Sequence, residues 1–300
     1  MSHSFLDALL SSAPVVLDGA WGTELQARGL APGECPDAWN LTHPDRVEAV
    51  ARAYVEAGSQ IILTNTFRAN RIALTGVGLD GSTREINRAG VEISRRAARG
   101  SAAAGRAHVF ASIGPSGKLL VAGDVDESAL REAFAEQAHA LADAEGGADA
   151  IVIETMSDPA EAAIAVSAAR ETHLPVIACM AFDSGKHRDR TMMGTTIEAA
   201  VHALLDAGAD VVGANCGQGI ESFVGICERL HAATARPIWI KPNAGVPTLE
   251  GERIVYRTTP EEFARFVPAL VRAGANFIGG CCGTNPAFVR ALRGALAWAN

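Results

Sequence analysis

A chain of 300 residues sets 26 Lys and Arg against 34 Asp and Glu, a net charge of −8, and its basic residues are dispersed, which argues against nucleic acid or an anionic membrane as the main partner. With 48% hydrophobic and 20% charged residues the composition is globular; no apolar run reaches the roughly 18 residues of a membrane span, and Met1 to Asp7 lacks the basic start and long apolar core of a signal peptide. Six cysteines, at positions 35, 179, 216, 227, 281 and 282, do not make a disulfide framework in a chain this long; they fit a reducing cytoplasm, where such residues bind metal or act chemically.

In chain order, Val15-Val16-Leu17 reads as a first strand and runs into Asp18-Gly19-Ala20-Trp21-Gly22-Thr23-Glu24. A long loop holding Cys35 and Trp39 follows, then a helical pattern from His43-Pro44-Asp45 to Ala57, closed by Gly58. Ile61-Ile62-Leu63 is the second strand; it ends in Thr64-Asn65-Thr66-Phe67, and helical periodicity resumes from Glu85 to Arg99. Val109 to Ile113 is the third strand, stopped by Gly114-Pro115 and followed by a helix from Asp126 to Glu145. The fourth, Ala150 to Ile153, ends in Glu154-Thr155. Asp158-Pro159-Ala160-Glu161 then opens a helix with a capping residue, a first-position proline and a glutamate placed to complete a capping box.

Pro175 to Ala181 is the fifth strand, followed by a polar loop from Asp183 to Arg190 and a helix from Thr196 to Ala207. Val211 to Asn215 is the sixth, with a helix from Ile220 to Ala233. Ile238 to Lys241 is the seventh, and its helix begins at Thr259-Pro260-Glu261-Glu262, again a cap, a proline and a third-position glutamate. Phe277-Ile278 begins the eighth, and Asn285-Pro286 opens a last helix running to about Trp298.

Strict alternation of strand and helix demands a parallel sheet with crossover helices, and eight units in a chain of this length is the count of a (β/α)8 TIM barrel. The rival, an open doubly wound sheet, has a phosphate-binding G-x-G-x-x-G loop after its first strand; Asp18 to Gly22 lacks that spacing. One barrel domain is expected over residues 1–300, with no linker or low-complexity segment.

Catalytic residues of such barrels sit at the C-terminal ends of strands. Asp18, Asn65, Thr66, Glu154, Cys216, Lys241, Asn243, Cys281 and Cys282 all fall there. Adjacent cysteines do not readily bridge each other, but both can bind one metal if the chain turns sharply, and Gly279, Gly280 and Gly283 permit such a turn. With Cys216 they would form a zinc site of three thiolates and one open position. Each residue also has a plainer reading. A lone cysteine after a strand is usually a small buried hydrophobe, the expected role of Cys179 and Cys227. Asp18 and Glu154 could cap the following turns, and Lys241 could pair with a carboxylate.

The stretches Asp18-Gly19-Ala20-Trp21-Gly22-Thr23-Glu24, Thr64-Asn65-Thr66-Phe67-Arg68-Ala69-Asn70, Gly213-Ala214-Asn215-Cys216 and Gly279-Gly280-Cys281-Cys282-Gly283-Thr284 resemble the homocysteine S-methyltransferase family over nearly the whole chain. The resemblance implies a barrel with one Zn2+ held by Cys216, Cys281 and Cys282. It further implies that Asp18 and Glu154 bind the amino group of homocysteine; Gly19, Asn65 and Thr66, in the matching stretches, complete the expected substrate-binding set. The chemistry is physically coherent: a free thiol near pKa ~8.5 is mostly protonated at neutral pH, and zinc removes its proton without a separate base.

The donor implied by the family is a sulfonium such as S-methylmethionine, a betaine, or methylcobalamin on a separate corrinoid protein; the chain itself has no D-x-H-x-x-G corrinoid signature. Where the betaine branch has a tyrosine, this chain has Arg68, a cation that would repel a quaternary ammonium, and Trp21 stands where methionine is usual. The expected reading is a cytoplasmic, zinc-dependent methyltransferase making methionine from homocysteine and a sulfonium donor. The alternatives are a barrel subunit exchanging methyl groups with a corrinoid protein, or a non-catalytic binding subunit with a structural, four-ligand zinc.

Overall fold

A computed structural model describes residues 4–99, 107–251 and 253–297. Eight strands form one parallel sheet: β1 (Val15–Val16), β2 (Ile61–Leu63), β3 (His108–Ile113), β4 (Ala150–Met156), β5 (Val176–Met180), β6 (Val211–Gly219), β7 (Ile238–Asn243) and, after a short hairpin of β8 (Thr248–Glu250) and β9 (Arg253–Val255), β10 (Ala275–Ile278). The order β1-β10-β7-β6-β5-β4-β3-β2 is that of a (β/α)8 barrel.

Between β1 and β2 the ring is closed by individual bonds. The Gln60 N–H donates to Val16 O (2.8 Å), and the Gln60 side-chain oxygen accepts from the Val16 N–H (2.8 Å). The Leu63 N–H donates to the Asp18 carboxylate (2.7 Å). This seam is made largely by side chains because β1 is only two residues long.

In chain order the helices are α1 (Ser4–Leu10), α2 (Gly22–Ala27), α3 (Trp39–Thr42), α4 (Pro44–Ala57), α5 (Arg71–Thr75), α6 (Thr83–Arg99), α7 (Glu127–Ala142), α8 (Pro159–Arg170), α9 (Ile197–Asp206), α10 (Ile220–Ala233), α11 (Pro260–Ala264), α12 (Val267–Arg272) and α13 (Pro286–Ala297). The crossovers are α4, α6, α7, α8, α9, α10, the α11–α12 pair and α13. Helix α4 shows why they form: Val47, Val50, Ala51, Tyr54 and Val55 fall on one buried face, and Gly58 ends the helix at φ 101°. The expected seventh helix breaks at Phe266, where Pro268 opens α12. The last helix reaches Ala297; its expected end at Trp298, like Met1 to His3 of the N-terminal reading, lies outside the described residues.

The strands are buried on both faces, as a parallel barrel requires. Inward residues Leu17, Leu63, Phe110, Val152, Ile177, Cys179, Val211, Trp239 and Phe277 fill the interior, and Leu6 and Leu9 of α1 pack onto the same cluster. Phe5 meets His108, the first residue of β3, ring to ring at 5.0 Å, so α1 covers the barrel at the strands' N-terminal ends. The opposite end is left for chemistry. Cys179 and Cys227 are buried structural residues, as expected.

Two capping boxes read from sequence part ways. Thr259 and Glu262 form theirs reciprocally. Asp158 caps α8 through the Ala160 N–H, but Glu161 instead accepts from the Ser116 N–H (2.7 Å) and ties the β3 loop down.

Candidate functional site

Strand β6 continues four residues beyond its expected end, and its pairing with β7 slips between Cys216 and Gly219. Cys216 itself takes φ 64°, a left-handed conformation that a non-glycine residue adopts only when its surroundings impose it. Asn243 at the end of β7 helps impose it by donating to Gly217 O (3.1 Å).

Across the mouth, β10 ends in Gly279-Gly280-Cys281-Cys282-Gly283. Of these glycines only Gly283 needs left-handed freedom (φ 80°). Gly279 and Gly280 are small for another reason: a Cβ would come within 2.6 Å of Asp18 O and within 2.4 Å of the Thr284 hydroxyl. Thr284 locks the turn, donating to Cys281 O (2.7 Å) and accepting from the Ala20 N–H (3.1 Å).

The three sulfurs of Cys216, Cys281 and Cys282 lie within 4.8 Å of one another, with Cys216 and Cys282 at 3.9 Å. Sulfurs on a tetrahedral zinc, each at ~2.3 Å from the ion, stand about 3.8 Å apart, so the set fits that metal. Among the described residues these three are the group gathered for a metal, and no fourth protein ligand joins them. Crowding and burial together hold their pKa values up. The Cys281 contact lowers the Cys216 pKa, but the Cys282 contact, burial and neighbouring charge outweigh it and push it up to about 12. Cys282 likewise stands at about 12: Cys216 lowers it, and Cys281 and burial overcome that. A divalent cation is what would let all three release protons.

Beside the sulfurs opens a cavity of about 380 Å³. Glu154 faces it from the end of β4, accepting from the Ser112 hydroxyl (2.5 Å) and the Asn215 amide (3.2 Å). Burial raises its pKa, opposed by the charge of Lys241. Asn215 also donates to Thr155 Oγ1 (2.7 Å) and lies 3.9 Å from the Cys281 sulfur, linking carboxylate to thiol. Trp21, Phe67 and Tyr256 supply aromatic walls, and Asp37, Gln26 and Ile254 line other parts. The Tyr256 phenol is held above its ordinary pKa, first by burial and then by Cys282.

Of the residues expected to bind substrate, Gly19, Asn65 and Glu154 line this cavity. Asp18 and Thr66 stand behind its wall. Asp18 is fully buried and accepts from Lys241 Nζ (2.5 Å), the Trp21 indole N–H (2.9 Å) and the Leu63 N–H. Thr66 donates its hydroxyl proton to Ser112 O (2.7 Å). Lys241 is thus paired with a carboxylate, the plainer of its two readings.

Arg68 is exposed and does not line the cavity; its backbone N–H donates to Asp37 (3.0 Å), which does. Sequence reasoning missed Ser112, Asp37 and the β8–β9 hairpin that brings Ile254 and Tyr256 over the cavity. The hairpin had a signal in Gly251 between Thr248-Leu249 and Ile254-Val255. Asp37 had none.

Comparison with known proteins agrees with this geometry. A family profile described as homocysteine S-methyltransferase matches residues 15–296. The methionine synthases of Mycobacterium tuberculosis and Mycobacterium leprae are 33% and 31% identical over 96% and 97% of this chain, which spans about a quarter of their length, 25% in each case. The crystal structure of the Escherichia coli homocysteine methyltransferase MmuM in its metallated form superposes with a TM-score of 0.79 and 26% identity, covering 96% of this chain and 99% of that one. With the profile spanning almost the entire barrel and the three cysteines gathered at its mouth, the chain belongs to the homocysteine S-methyltransferase family.

Proposed function

We propose that this barrel transfers a methyl group from a small sulfonium, such as S-methylmethionine, to the thiol of homocysteine, giving methionine. The observation that carries the reading is the convergence of three cysteine sulfurs within 4.8 Å at the edge of a cavity that also holds the buried carboxylate of Glu154. Cys216, Cys281 and Cys282 would hold one Zn2+, which supplies a Lewis acid that keeps a substrate thiol deprotonated at neutral pH.

The chain's own residues do the rest. Glu154 receives the substrate ammonium and fixes the direction from which the sulfur reacts. Its two other partners, Ser112 and Asn215, are uncharged and hold its oxygens in place. Trp21, Phe67 and Tyr256 line the cavity, and aromatic quadrupoles attract a cationic donor. The substrate sulfur forms the new carbon–sulfur bond. The methyl–sulfonium bond breaks and its electron pair stays on the donor sulfur, which leaves as a neutral thioether. The thiol proton goes to solvent, so no side chain need act as a general base.

The test is methionine formation by zinc-loaded, reduced protein given homocysteine and S-methylmethionine without any corrinoid. Turnover that disappears in Cys282→Ala is the expected result. Metal-replete protein that makes no methionine rejects the sulfonium donor.

A second reading, methyl exchange with a separate corrinoid protein, is favoured by one observation. The loops after β3, β5 and β7, on the cavity side of the barrel, expose Val121, Met192, Leu249 and Ile254, an apolar rim suited to a macromolecular donor. Turnover with a methylcorrinoid protein and none with S-methylmethionine would select it. A purely structural zinc predicts a fourth protein ligand, and the described residues offer three.

A further inference from the structure

Two carboxylates line the cavity, Glu154 and Asp37, and the reading above gives work only to the first. Asp37 sits in a short 3-10 turn, Pro36–Ala38, and is 1% exposed. One of its oxygens accepts from the Arg68 N–H (3.0 Å). The other has a thiol as partner, Cys35 Sγ at 3.9 Å, and a thiol is a weak donor, so this oxygen keeps the capacity to accept. No salt bridge joins Asp37 among the described residues, and the charge of Arg68 offsets its burial only in part. At neutral pH the group is still ionised, since burial lifts its pKa no further than about 6. A buried carboxylate without a counter-cation is costly, and such a cost is tolerated where a ligand brings the cation.

The place of Asp37 in the ring says which ligand. The Asn65 amide, at the end of β2, donates to Pro36 O (2.7 Å), and Arg68 follows the same strand, so the turn stands over the β2 end. In the order β1-β10-β7-β6-β5-β4-β3-β2, closed between β1 and β2, β6 is four strands from β2 in either direction. Cys216 is therefore across the mouth from Asp37, and Glu154 on β4 stands midway, two strands from each. Homocysteine with its sulfur at the cysteines and its ammonium at Glu154 leaves Asp37 without a partner. A donor must bring its sulfonium to that same sulfur. Its other end is then kept from Glu154, which is occupied, and the remaining carboxylate lies on the β2 side, where Trp21 and Phe67 also line the cavity.

We infer that Asp37 binds the ammonium of the methyl donor, so that the barrel selects an amino-acid sulfonium over a simple one. The inference rests on the sulfonium reading above and adds to it the chemical class of the donor and the residue that chooses it.

The test compares S-methylmethionine with 4-(dimethylsulfonio)butanoate, the same sulfonium and carboxylate without the ammonium, as donors to zinc-loaded protein saturated with homocysteine. The wild type is expected to favour S-methylmethionine in kcat/KM by roughly 10- to 100-fold, the range of one charge-assisted hydrogen bond. Asp37→Asn removes the charge and keeps an acceptor for the Arg68 N–H. It should bring the ratio close to one, while the KM for homocysteine stays within about threefold of wild type. Asp37→Ser, smaller and also uncharged, gives the same comparison should the asparagine variant not fold. A wild type that uses both donors equally overturns the assignment without any variant. So does an Asp37→Asn protein that keeps the wild-type ratio, or one in which the KM for homocysteine rises while the donor ratio stands. Metal-replete wild type that makes methionine from neither donor overturns the sulfonium reading and this one with it, an outcome distinct from turnover without discrimination.

Discussion

At the scale of residues, Asp37 carries a consequence of its own. Its carboxyl is 1% exposed in the cavity wall, and burial, opposed by the hydrogen bond from the Arg68 N–H, raises its pKa to about 6 from 3.8. The sign follows from which state holds the proton. Below pH 4 both folded and unfolded chains are protonated and nothing is lost. Between about pH 4 and 6 the unfolded chain releases its proton first, so the fold loses stability as pH rises; above 6 the loss is complete, on the order of 3 kcal/mol for a shift of roughly two units. Asp37→Asn should abolish that descending segment in urea unfolding measured from pH 4 to 7.

The same scale shows what could be read without coordinates. Each cysteine of the candidate site ends an apolar run within a few residues of glycine, so local pattern sufficed. The Lys241–Asp18 pair spans 223 positions and exists only because β7 lies beside β10 and β10 beside β1. No local pattern encodes that proximity. Neither does any pattern encode the turn of Cys216 to φ 64°, which depends on a bond from the next strand.

Among elements, the regular ones were legible and the closures were not. The eight barrel strands are apolar runs bounded by turns, and the crossover helices carry caps and periodic buried faces, so both follow from nearest neighbours in sequence. Glu161 marks the limit. Its spacing from Asp158 suits a capping box, yet a buried backbone N–H at Ser116 is the more demanding partner and takes the carboxylate. The seam between β1 and β2 was equally hidden, because it depends on the Gln60 side chain standing in for a strand ladder. Gln60→Ala leaves the Val16 N–H without its acceptor and should cost about 1–2 kcal/mol in urea unfolding. Amide exchange at Val16 should accelerate, while exchange in β5 and β6 stays slow, since their ladders do not involve the seam.

For the whole molecule, a metal held by the three cysteines would join the ends of β6 and β10, strands separated in the sheet by β7. An ion bound there would stabilise the folded state by mass action, about 4 kcal/mol at a thousand times its dissociation constant. Chelation under reducing conditions should therefore lower the melting temperature by several degrees in a protein of this size. Cys216→Ala should show the low value with or without added zinc. A melting temperature indifferent to chelator in the wild type would mean that the three thiols do not hold a metal.

The stitching of the barrel by Asp18 has an evolutionary consequence. One carboxylate closes the seam through Leu63, orients Trp21 and neutralises Lys241. Fold maintenance and the charge balance of the cavity floor are therefore under joint selection at that position, and change there is penalised before it can be rewarded. Diversification toward other thiols or donors has freer ground at Gln26 and Ile254, which line the cavity and take part in no bond between barrel strands. A library spread over those positions should retain far more folded members than one that includes position 18.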